Sequence, residues 1–363
     1  MSTHFAVATT AKGILEQVQL PTPQPGPGNA LIKVHYTALI PPDTYQLDRG
    51  YGVSEYPHVL GYASAGVVKA VGHGITDLKE GDKVSSFNYP ARENKALQEY
   101  TLVPRYLVAK LPDTISLHEA ASMPDNYACA MITIFGTANL ALPLPESFPA
   151  PTPPPNADVP ILVYGAGASS GQYMIQIFKL AGYTNIFATA SSHNHAYLKE
   201  LGAKHCFDYK SPDFARDILQ ASGGAKMSII VDTIAAKPSM EAYKSVVGKG
   251  TRLALLIPVK EGAKVTNDLN SEYFSTVPPW VGSLFSEAKI IPVYTFRFHE
   301  DPIARENFLQ KILPQLLEKR IIRPNPIRLF KEGSLLDRVK TGLDLLRNNK
   351  VSGEKVVIDL ATN

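Results

Sequence analysis

Two kinds of hydrophobic pattern divide the sequence. Up to about residue 103, apolar and β-branched residues come in short runs between turn residues, as at 4–10, 14–20 and 30–38, and this pattern predicts strands. From Val159 onward, apolar runs of four to six residues alternate with segments in which apolar residues recur at helical spacing. The second pattern predicts a parallel sheet with helices on both faces.

The second pattern is regular enough to place its elements. The predicted strands are 161–164, 185–190, 205–208, 228–232, 252–257 and 289–293, and the predicted helices lie near 171–182, 194–201, 212–221 and 238–247. After them we expect a long amphipathic helix at 304–320, a strand at 327–330, a helix at 335–348 and a last strand at 355–360.

Two proline-containing segments are predicted to be loops. Residues 142–156 contain so many prolines that they can form neither a helix interior nor a central strand, and we predict a loop. Residues 40–51, which contain the pair Pro41-Pro42, are also predicted to be a loop.

A glycine-rich turn stands between the first strand and the first helix of the second pattern. Gly165, Gly167 and Gly171 follow the apolar run 161–164. Glycines let the backbone approach a pyrophosphate, and the N–H groups at the start of the helix favour negative charge. The turn therefore indicates a dinucleotide site, with Gly165, Ala168, Ser169, Ser170 and Gly171 as candidate contacts. The spacing is one residue longer than the common fingerprint, and a plain strand-to-helix turn is the alternative.

Composition narrows the class of protein. The 363 residues suit two domains, and a hydrophobic content of 45% with 19% charged residues is typical of a globular protein. We expect a cytoplasmic protein, because the sequence has neither an apolar stretch of about 20 residues nor a signal-peptide pattern at its start. Two cysteines exclude a disulfide framework, and a net charge of +3 does not indicate nucleic acid as a partner.

Taken together, the motifs resemble the zinc-independent, quinone-reductase-like branch of the medium-chain dehydrogenase/reductase superfamily. Within it, the chain looks most like the fungal trans-acting enoyl reductases of polyketide synthesis. Four stretches carry the first resemblance: Pro57-x-x-x-Gly61-x-x-x-x-Gly66-x-Val68-x-x-Val71-Gly72, Gly81-Asp82-Lys83-Val84, the turn 165–171, and Ser352-Gly353-Glu354-Lys355-Val356-Val357. The closer one is carried by the proline-rich insertion, Ser191-Ser192-His193-Asn194, Phe207-Asp208-Tyr209 and Ser352-Gly353-Glu354-Lys355.

The resemblance implies an α/β fold in which a Rossmann doubly wound parallel sheet is inserted into a GroES-like β-barrel domain. Residues 1–125 and 320–363 would form the GroES-like domain, and residues 126–319 would form the Rossmann domain. Nicotinamide and substrate would lie in the cleft between them.

The same comparison implies that no metal is used. Zinc alcohol dehydrogenases of this superfamily carry Cys-x-x-Asp and Gly-His-Glu where this chain has Ile40-Pro41-Pro42-Asp43 and Gly61-Tyr62-Ala63. The four-cysteine structural lobe would fall near residues 85–99, which contain no cysteine. The hydride acceptor would then need activation without a Lewis acid, and a C=C bond conjugated to a carbonyl meets that condition.

Charge at the end of the second strand favours NADPH. An NAD-preferring site usually keeps an acid about 20 residues after the last glycine, whereas this chain has Ser191, Ser192, His193 and Asn194 there. The family often adds a strand-end tyrosine, here Tyr209. The remaining candidate cofactor contacts are Ile257 and Lys355.

The resemblance also suggests where a proton donor would lie. Mitochondrial enoyl-thioester reductases use a tyrosine in the loop after Asn-Pro-x-Asp, which points to Tyr51, with Tyr45 and Tyr62 as rivals and solvent as a further source. Two departures from the family pattern are Ile40 in place of the asparagine and Ala128 in place of a threonine that touches the carboxamide.

These inferences converge on an NADPH-dependent reductase of an enoyl thioester or an enone. The family analogy suggests a polyketide intermediate on an acyl carrier protein, a polyketide synthase as partner, and a monomer or a homodimer. The alternatives are a quinone or aldehyde reductase on the same scaffold and a catalytically silent dinucleotide-binding protein.

Overall fold

The computed structural model describes residues 2–89, 91–262 and 269–361. The chain divides into two compact units. The first unit contains the chain up to Ala128 and again from Pro302 onward, and the second contains most of the residues from Cys129 to Asp301. The sequence places the boundaries after residue 125 and at residue 320, so the two divisions differ mainly over residues 126–128 and 302–319.

Strands dominate the chain before residue 124, and a buried helix follows. The elements are β1 (Thr3–Ala11), β2 (Ile14–Pro21), β3 (Asn29–Leu39), α1 (Pro41–Arg49), β4 (His58–Val59), β5 (Ala63–Val71), β6 (Lys83–Phe87), β7 (Tyr100–Pro104), β8 (Val108–Lys110), α2 (Leu117–Ala120) and α3 (Pro124–Phe135). The proline-rich segment 142–156 contains neither helix nor strand, which confirms its prediction as a loop.

Strands and helices then alternate as the sequence predicts. They are β9 (Ile161–Tyr164), α4 (Ser169–Leu180), β10 (Ile186–Thr189), α5 (His195–Leu201), β11 (His205–Phe207), α6 (Phe214–Ala221), β12 (Ile229–Asp232), α7 (Lys237–Tyr243), β13 (Arg252–Leu256), β14 (Val259–Lys260), β15 (Tyr273–Phe274), α8 (Pro279–Leu284) and β16 (Lys289–Val293). The chain continues with a π-type helix (Ala304–Ile312), α9 (Leu313–Glu318), β17 (Ile327–Phe330), α10 (Leu335–Arg347) and β18 (Lys355–Asp359).

The parallel sheet of the second unit has the strand order β11-β10-β9-β12-β13-β16. The order reverses direction at β9, so right-handed crossovers place the helices before and after this point on opposite faces. Leu162, Tyr164, Leu253 and Leu255 alternate along their strands to face the apolar side of α6, α7 and α8. The predicted doubly wound sheet is therefore confirmed.

The main sheet of the first unit has the order β17-β18-β3-β5-β6-β8, and β7 also pairs with β3. Its hydrophobic core is closed by α10, whose Leu335, Val339 and Leu343 recur every four residues and pack on β3 and β18. None of the helices in the described parts of the chain has both the length and the apolar character needed to cross a bilayer.

The segment 40–51 is not the predicted loop, because Pro41–Arg49 form α1. Pro41 and Pro42 occupy the first two helical positions, where a missing N–H group costs nothing. The Asp43 carboxylate accepts a hydrogen bond from the Ile40 backbone N–H at 2.8 Å. The helix ends at Gly50, whose φ of 67° is the left-handed conformation that favours glycine.

The predicted helix 304–320 is present in modified form. Its first part, Ala304–Ile312, has the wide turns of a π-helix, and only Leu313–Glu318 is α-helical. Pro314 lacks an N–H group and so cannot bond to the carbonyl four residues before it. This proline stands where the two helical types meet, which is a physical reason for the change.

Candidate active site

The glycine turn brings three backbone segments of the second unit into close contact. A Cβ atom on Gly171 would lie 2.6 Å from Ala166 Cα, and one on Gly165 would lie 2.5 Å from Thr233 Oγ1. Gly165 also has a φ of 77°. Side chains at these two positions would therefore push the turn apart, and the close approach that a pyrophosphate requires would be lost.

The start of α4 suits a negatively charged group. Ala168 is the N-cap residue, and no side chain caps the helix. The next residues are Ser169, Ser170 and Gly171, so small side chains surround the first N–H groups of a twelve-residue helix. N–H groups at such a position are donors for phosphate oxygens, and the turn fits a dinucleotide.

The segment after β10 lies beside this turn. Residues Ser192–Asn194 form one turn of 3-10 helix, and Asn194 Nδ2 lies 3.3 Å from the position of a Cβ on Gly167. Ser191 is buried, whereas His193 is exposed. The structure thus brings one of the predicted phosphate-selecting residues, Asn194, to the glycine turn.

Asp208, an acid whose charge does not enter the sequence argument for NADPH, stands at the same place. The Asp208 carboxylate accepts hydrogen bonds from the backbone N–H groups of Lys210, at 3.0 Å, and of Ser192. The bond from Lys210 is the largest of the influences that hold the pKa of Asp208 below its usual range. Tyr209 stands between Asp208 and Lys210 in the sequence, and its ring is exposed. The Lys210 ammonium lies 5.8 Å from the centroid of that ring.

A second acid, the buried Asp232, holds the turn after β12. Its carboxylate accepts from the N–H groups of Ile234 and Ala235 and from the Tyr243 hydroxyl, each at 2.9 Å. Burial raises the pKa of Asp232. The turn that it holds carries Thr233, whose hydroxyl donates to the Gly165 carbonyl at 3.0 Å. Ile257, another predicted contact, follows the end of β13, and its N–H donates to the Val293 carbonyl.

The three candidate tyrosines lie together in the first unit. Tyr45 is in α1, and its ring meets that of Tyr51 edge to face, with centroids 6.4 Å apart. Gly50 turns the chain so that the Tyr51 N–H donates to the Tyr45 carbonyl at 3.2 Å. Burial is the main cause that raises the pKa of Tyr62, and the nearby Tyr51 contributes to the same shift. Tyr62 is therefore held as a neutral phenol, and Tyr45 and Tyr51 bring the same hydroxyl group to this cluster.

Tyr62 has two further polar neighbours that sequence reasoning missed. The Gln46 side-chain amide donates to the Tyr62 hydroxyl at 2.6 Å. The Lys95 ammonium lies 3.6 Å from the centroid of the Tyr62 ring, a cation–π contact. Gln46 is one residue after Tyr45 in a helix that the sequence did not predict, and Lys95 follows a polar run typical of a solvent-exposed turn.

Asp43 joins the start of α1 to the segment that carries Tyr62. One carboxylate oxygen accepts from the Ile40 N–H and the other from the Gly61 N–H, both at 2.8 Å. Complete burial raises the pKa of Asp43 to about 6, and the charge of Lys95 opposes that shift. The side chain thus fixes the start of α1 against the residue that precedes Tyr62.

Lys355 lies in the first unit, in an ion pair with Asp125. Its ammonium is 2.7 Å from each carboxylate oxygen, and both side chains are buried. The charge of Asp125 also reaches Asp43, whose pKa it raises. The predicted contact of Lys355 with a cofactor stays a prediction.

The region that corresponds to the zinc lobe is held by side-chain amides. Asn88 donates to the Asn94 carbonyl at 2.7 Å, and Gln98 donates to the Lys95 carbonyl at 2.8 Å. Within residues 2–89, 91–262 and 269–361, no group of three or more His, Cys, Asp or Glu side chains is placed to hold a metal ion. That the protein uses no metal stays a prediction.

Comparison with known families assigns both parts of the chain. Residues 26–113 match the family described as alcohol dehydrogenase GroES-like domain, and residues 171–274 match the family described as zinc-binding dehydrogenase. Among curated relatives, the trans-enoyl reductase tndF of Aspergillus flavipes is 31% identical over 98% of each chain. The trans-enoyl reductase ACTTS2 of Alternaria alternata is 30% identical over 98% of this chain and 99% of the relative.

Solved structures give the same fold. The CurK enoyl reductase has a TM-score of 0.77 at 18% identity and covers 99% of each chain. A quinone oxidoreductase of Pseudomonas syringae has a TM-score of 0.75 at 20% identity, over 98% of this chain and 99% of that chain. The chain belongs to the medium-chain dehydrogenase/reductase superfamily, among its enoyl-reductase-like members. The predicted combination of a GroES-like domain with a Rossmann sheet is confirmed.

Proposed function

We propose that this protein reduces a C=C bond conjugated to a carbonyl, in an enoyl thioester or an enone, with NADPH as the reductant and without a metal. The observation that carries the proposal is the tyrosine cluster of the first unit. Ile40 and Tyr62 occupy positions where zinc dehydrogenases keep ligands, and three phenols gather there instead. Phenols suit a reaction that needs a proton and hydrogen-bond donors. The names of the curated relatives support the same reaction.

The cofactor residues of the proposal, apart from Lys355, lie in the second unit. The start of α4, with Gly165, Ala168, Ser169, Ser170 and Gly171, binds the pyrophosphate. The 2′-phosphate is bound by Ser191, His193, Asn194 and Tyr209, and Ile257 lines the same strand ends. Lys210 offsets the carboxylate of Asp208, because its charge acts on that group. The bound nicotinamide supplies the hydride.

Tyr51 is our proposed proton donor. It is half-buried, whereas Tyr45 and Tyr62 are almost completely enclosed. A neutral phenol gives its proton to the α-carbon of an enolate and recovers it from solvent. Tyr45 packs against the Tyr51 ring and orients it. Tyr62, whose hydroxyl accepts from Gln46, stays neutral because burial raises its pKa.

The substrate of the proposal is a polyketide intermediate on an acyl carrier protein, and the partner is a polyketide synthase. The supporting observation is the similarity to curated relatives, one of which is the enoyl reductase component lovC of the lovastatin nonaketide synthase of Aspergillus terreus, 29% identical over 91% of this chain and 88% of the relative. We propose that the protein works as a monomer or a homodimer.

A substrate panel tests the reaction. Oxidation of NADPH is followed with crotonyl thioester, a free enone, a quinone and an aldehyde, using wild type, Tyr51→Phe, Tyr45→Phe and Tyr62→Phe. We expect turnover of the thioester or the enone, with kcat lowered about 100-fold in Tyr51→Phe and less in the other two. If only the quinone or only the aldehyde is turned over, the protein is a quinone reductase or an aldehyde reductase instead. If neither NADPH nor NADH binds, as followed by nicotinamide fluorescence, the protein is not a reductase.

A further inference from the structure

The backbone of the first unit places Lys95 beside Tyr62. The Ala96 N–H donates to the Gly61 carbonyl at 3.1 Å, and the Leu97 N–H donates to the Leu60 carbonyl at 2.9 Å. A Cβ on Gly61 would lie 2.8 Å from the Leu97 nitrogen, and the φ of Gly61 is +92°. Glycine at position 61 therefore lets the two segments approach closely enough for the Lys95 side chain to reach the Tyr62 ring.

Lys95 is a buried cation with few partners. Its side chain is only 2% exposed, and its ammonium lies 3.6 Å from the centroid of the Tyr62 ring. Asp43 acts on it through charge, but no hydrogen bond or close ion pair joins the ammonium to any residue in the described part of the chain. Buried ammonium groups normally find acceptors for their N–H groups.

Two neutral polar atoms of the same cluster also lack partners. Gln46 donates to the Tyr62 hydroxyl through its nitrogen, but its Oε1 is buried and has no hydrogen-bond partner among the described residues. His58 Nε2 is also buried without a hydrogen-bond partner among the described residues. Burial lowers the pKa of the His58 ring, and the charge of Lys95 acts on the ring in the same direction. Two unsatisfied polar atoms thus accompany the buried Lys95 ammonium, and a polar ligand would complete this cluster.

We propose that the Lys95 ammonium binds the carbonyl oxygen of the substrate and stabilises the negative charge that develops on it during reduction. This inference rests on the proposed function, and it names the group that replaces a Lewis acid. A carbonyl oxygen fits because it accepts the N–H bonds that Lys95 does not make elsewhere.

The chemistry balances without a further reactant. Hydride adds to the β-carbon, the electron pair of the C=C bond forms a double bond between the α-carbon and the carbonyl carbon, and the π pair of the carbonyl moves to its oxygen. The resulting enolate takes a proton at the α-carbon from the tyrosine. The alkene is reduced, and the nicotinamide is oxidised. Lys95 keeps its protons throughout and contributes charge and hydrogen bonds, which are worth more in a buried site than in water.

Lys95→Met tests the proposal, because it keeps an unbranched stem and removes only the charged end. Lys95→Arg keeps the charge, and Lys69→Met is the matched control, since Lys69 pairs with Glu80 on the surface at 3.7 Å. Each variant is assayed with crotonyl thioester and with NADPH deuterated at the transferred position. Cofactor affinity and thermal unfolding are measured alongside.

We expect Lys95→Met to lower kcat/KM about 100-fold, Lys95→Arg to recover part of the loss, and Lys69→Met to match wild type. The deuterium isotope effect should rise in Lys95→Met, because hydride transfer becomes slower while cofactor binding does not change. A merely structural lysine would not produce that rise. A kcat/KM within twofold of wild type, with an unchanged isotope effect, overturns the role of Lys95.

Two results remain informative if Lys95→Met does not fold. Burial lowers the pKa of Lys95 to about 8, so kcat/KM of the wild type should fall above that pH. Asp43 of α1, His58 of β4 and Tyr62 are the titratable neighbours, within the described residues, that act on or contact Lys95. A profile that stays flat to about pH 10 overturns the inference. Wild type that reduces none of the alkenes overturns the proposed function itself.

Discussion

Lys355 Nζ lies 2.7 Å from both carboxylate oxygens of Asp125, a residue 230 positions away in the sequence. The pair joins β18 to the start of α3 within the first unit. Asp43 and Lys95 add two more buried charges, and Asp125 acts on Asp43 electrostatically. Two cations and two anions are therefore buried within this unit.

Removal of one partner of the Lys355–Asp125 pair should destabilise the protein strongly. Lys355→Met leaves the Asp125 carboxylate buried without its cation, which should lower the free energy of unfolding by about 3–5 kcal/mol. The double variant Lys355→Met/Asp125→Asn should recover part of the loss. Chemical denaturation gives the free energy of unfolding of wild type, Lys355→Met and the double variant.

Lys83→Met is the control, because Lys83 pairs with Asp113 at 3.0 Å where both side chains are exposed. Lys83→Met should lower the free energy of unfolding by less than about 1 kcal/mol. Equal losses for Lys355→Met and Lys83→Met would contradict the importance that we assign to the buried pair.

Acid should destabilise the protein partly through His58. Burial lowers the pKa of this imidazole from 6.5 to about 4, so the folded state favours the neutral ring. The stabilisation is complete above pH 6.5 and is lost as the pH falls through about 4. Between these values, His58→Gln should lose less thermal stability than wild type.

His73→Gln, which alters an exposed histidine, should keep the wild-type slope of melting temperature against pH. The pKa of Asp43 is raised in the folded state, so its protonation favours the folded state as the pH falls, which is opposite to the effect of His58. Asp43 is present in wild type and in both histidine variants, so its effect is the same in all three and does not alter the differences between their slopes. Identical slopes for His58→Gln and wild type would show that His58 does not titrate in this way.

The glycine turn should not tolerate a methyl group at position 171. In Gly171→Ala, the new Cβ would approach Ala166 Cα to 2.6 Å, so the turn must open. We expect NADPH affinity to fall by about tenfold or more, which corresponds to about 1.4 kcal/mol. Gly282→Ala has open space around its Cβ and should bind as wild type does. Unchanged affinity in Gly171→Ala would remove this turn from the cofactor site.

Tyr209 should select the phosphorylated cofactor. Tyr209→Ala removes one hydrogen bond to a charged phosphate, a loss of about 1.5–3 kcal/mol, and should weaken NADPH binding while NADH binding stays the same. Tyr56 has the same exposure, 44%, and Tyr56→Ala is the control. Parallel losses for both cofactors in Tyr209→Ala would mean that the tyrosine contacts a part that they share.

The fold of the second unit could be predicted from sequence because buried parallel strands are continuous apolar runs. The strands 161–164 and 289–293 were predicted to the residue for this reason. Helix α1 was missed because the paired prolines suggested a loop. The Asp43 carboxylate accepts hydrogen bonds from the Ile40 and Gly61 N–H groups and so stabilises a helix that starts at these prolines.

The polar part of the candidate site could not be predicted from sequence. Lys95 stands at the end of the run Arg92-Glu93-Asn94-Lys95, which is typical of an exposed turn. Its burial follows from the pairing of residues 96–97 with 60–61, and no local pattern encodes that pairing. The partnership of Asp125 with Lys355 is equally non-local.

The most direct test of the proposed function follows the transferred hydrogen atom. Crotonyl thioester is incubated with the protein and NADPH deuterated at the transferred C4 position, and the product is examined by NMR and mass spectrometry. We expect a saturated thioester with one deuterium on the β-carbon and a solvent-derived hydrogen on the α-carbon. NADPH oxidation without deuterium on the β-carbon, or no oxidation with thioester or enone, would contradict alkene reduction by this protein.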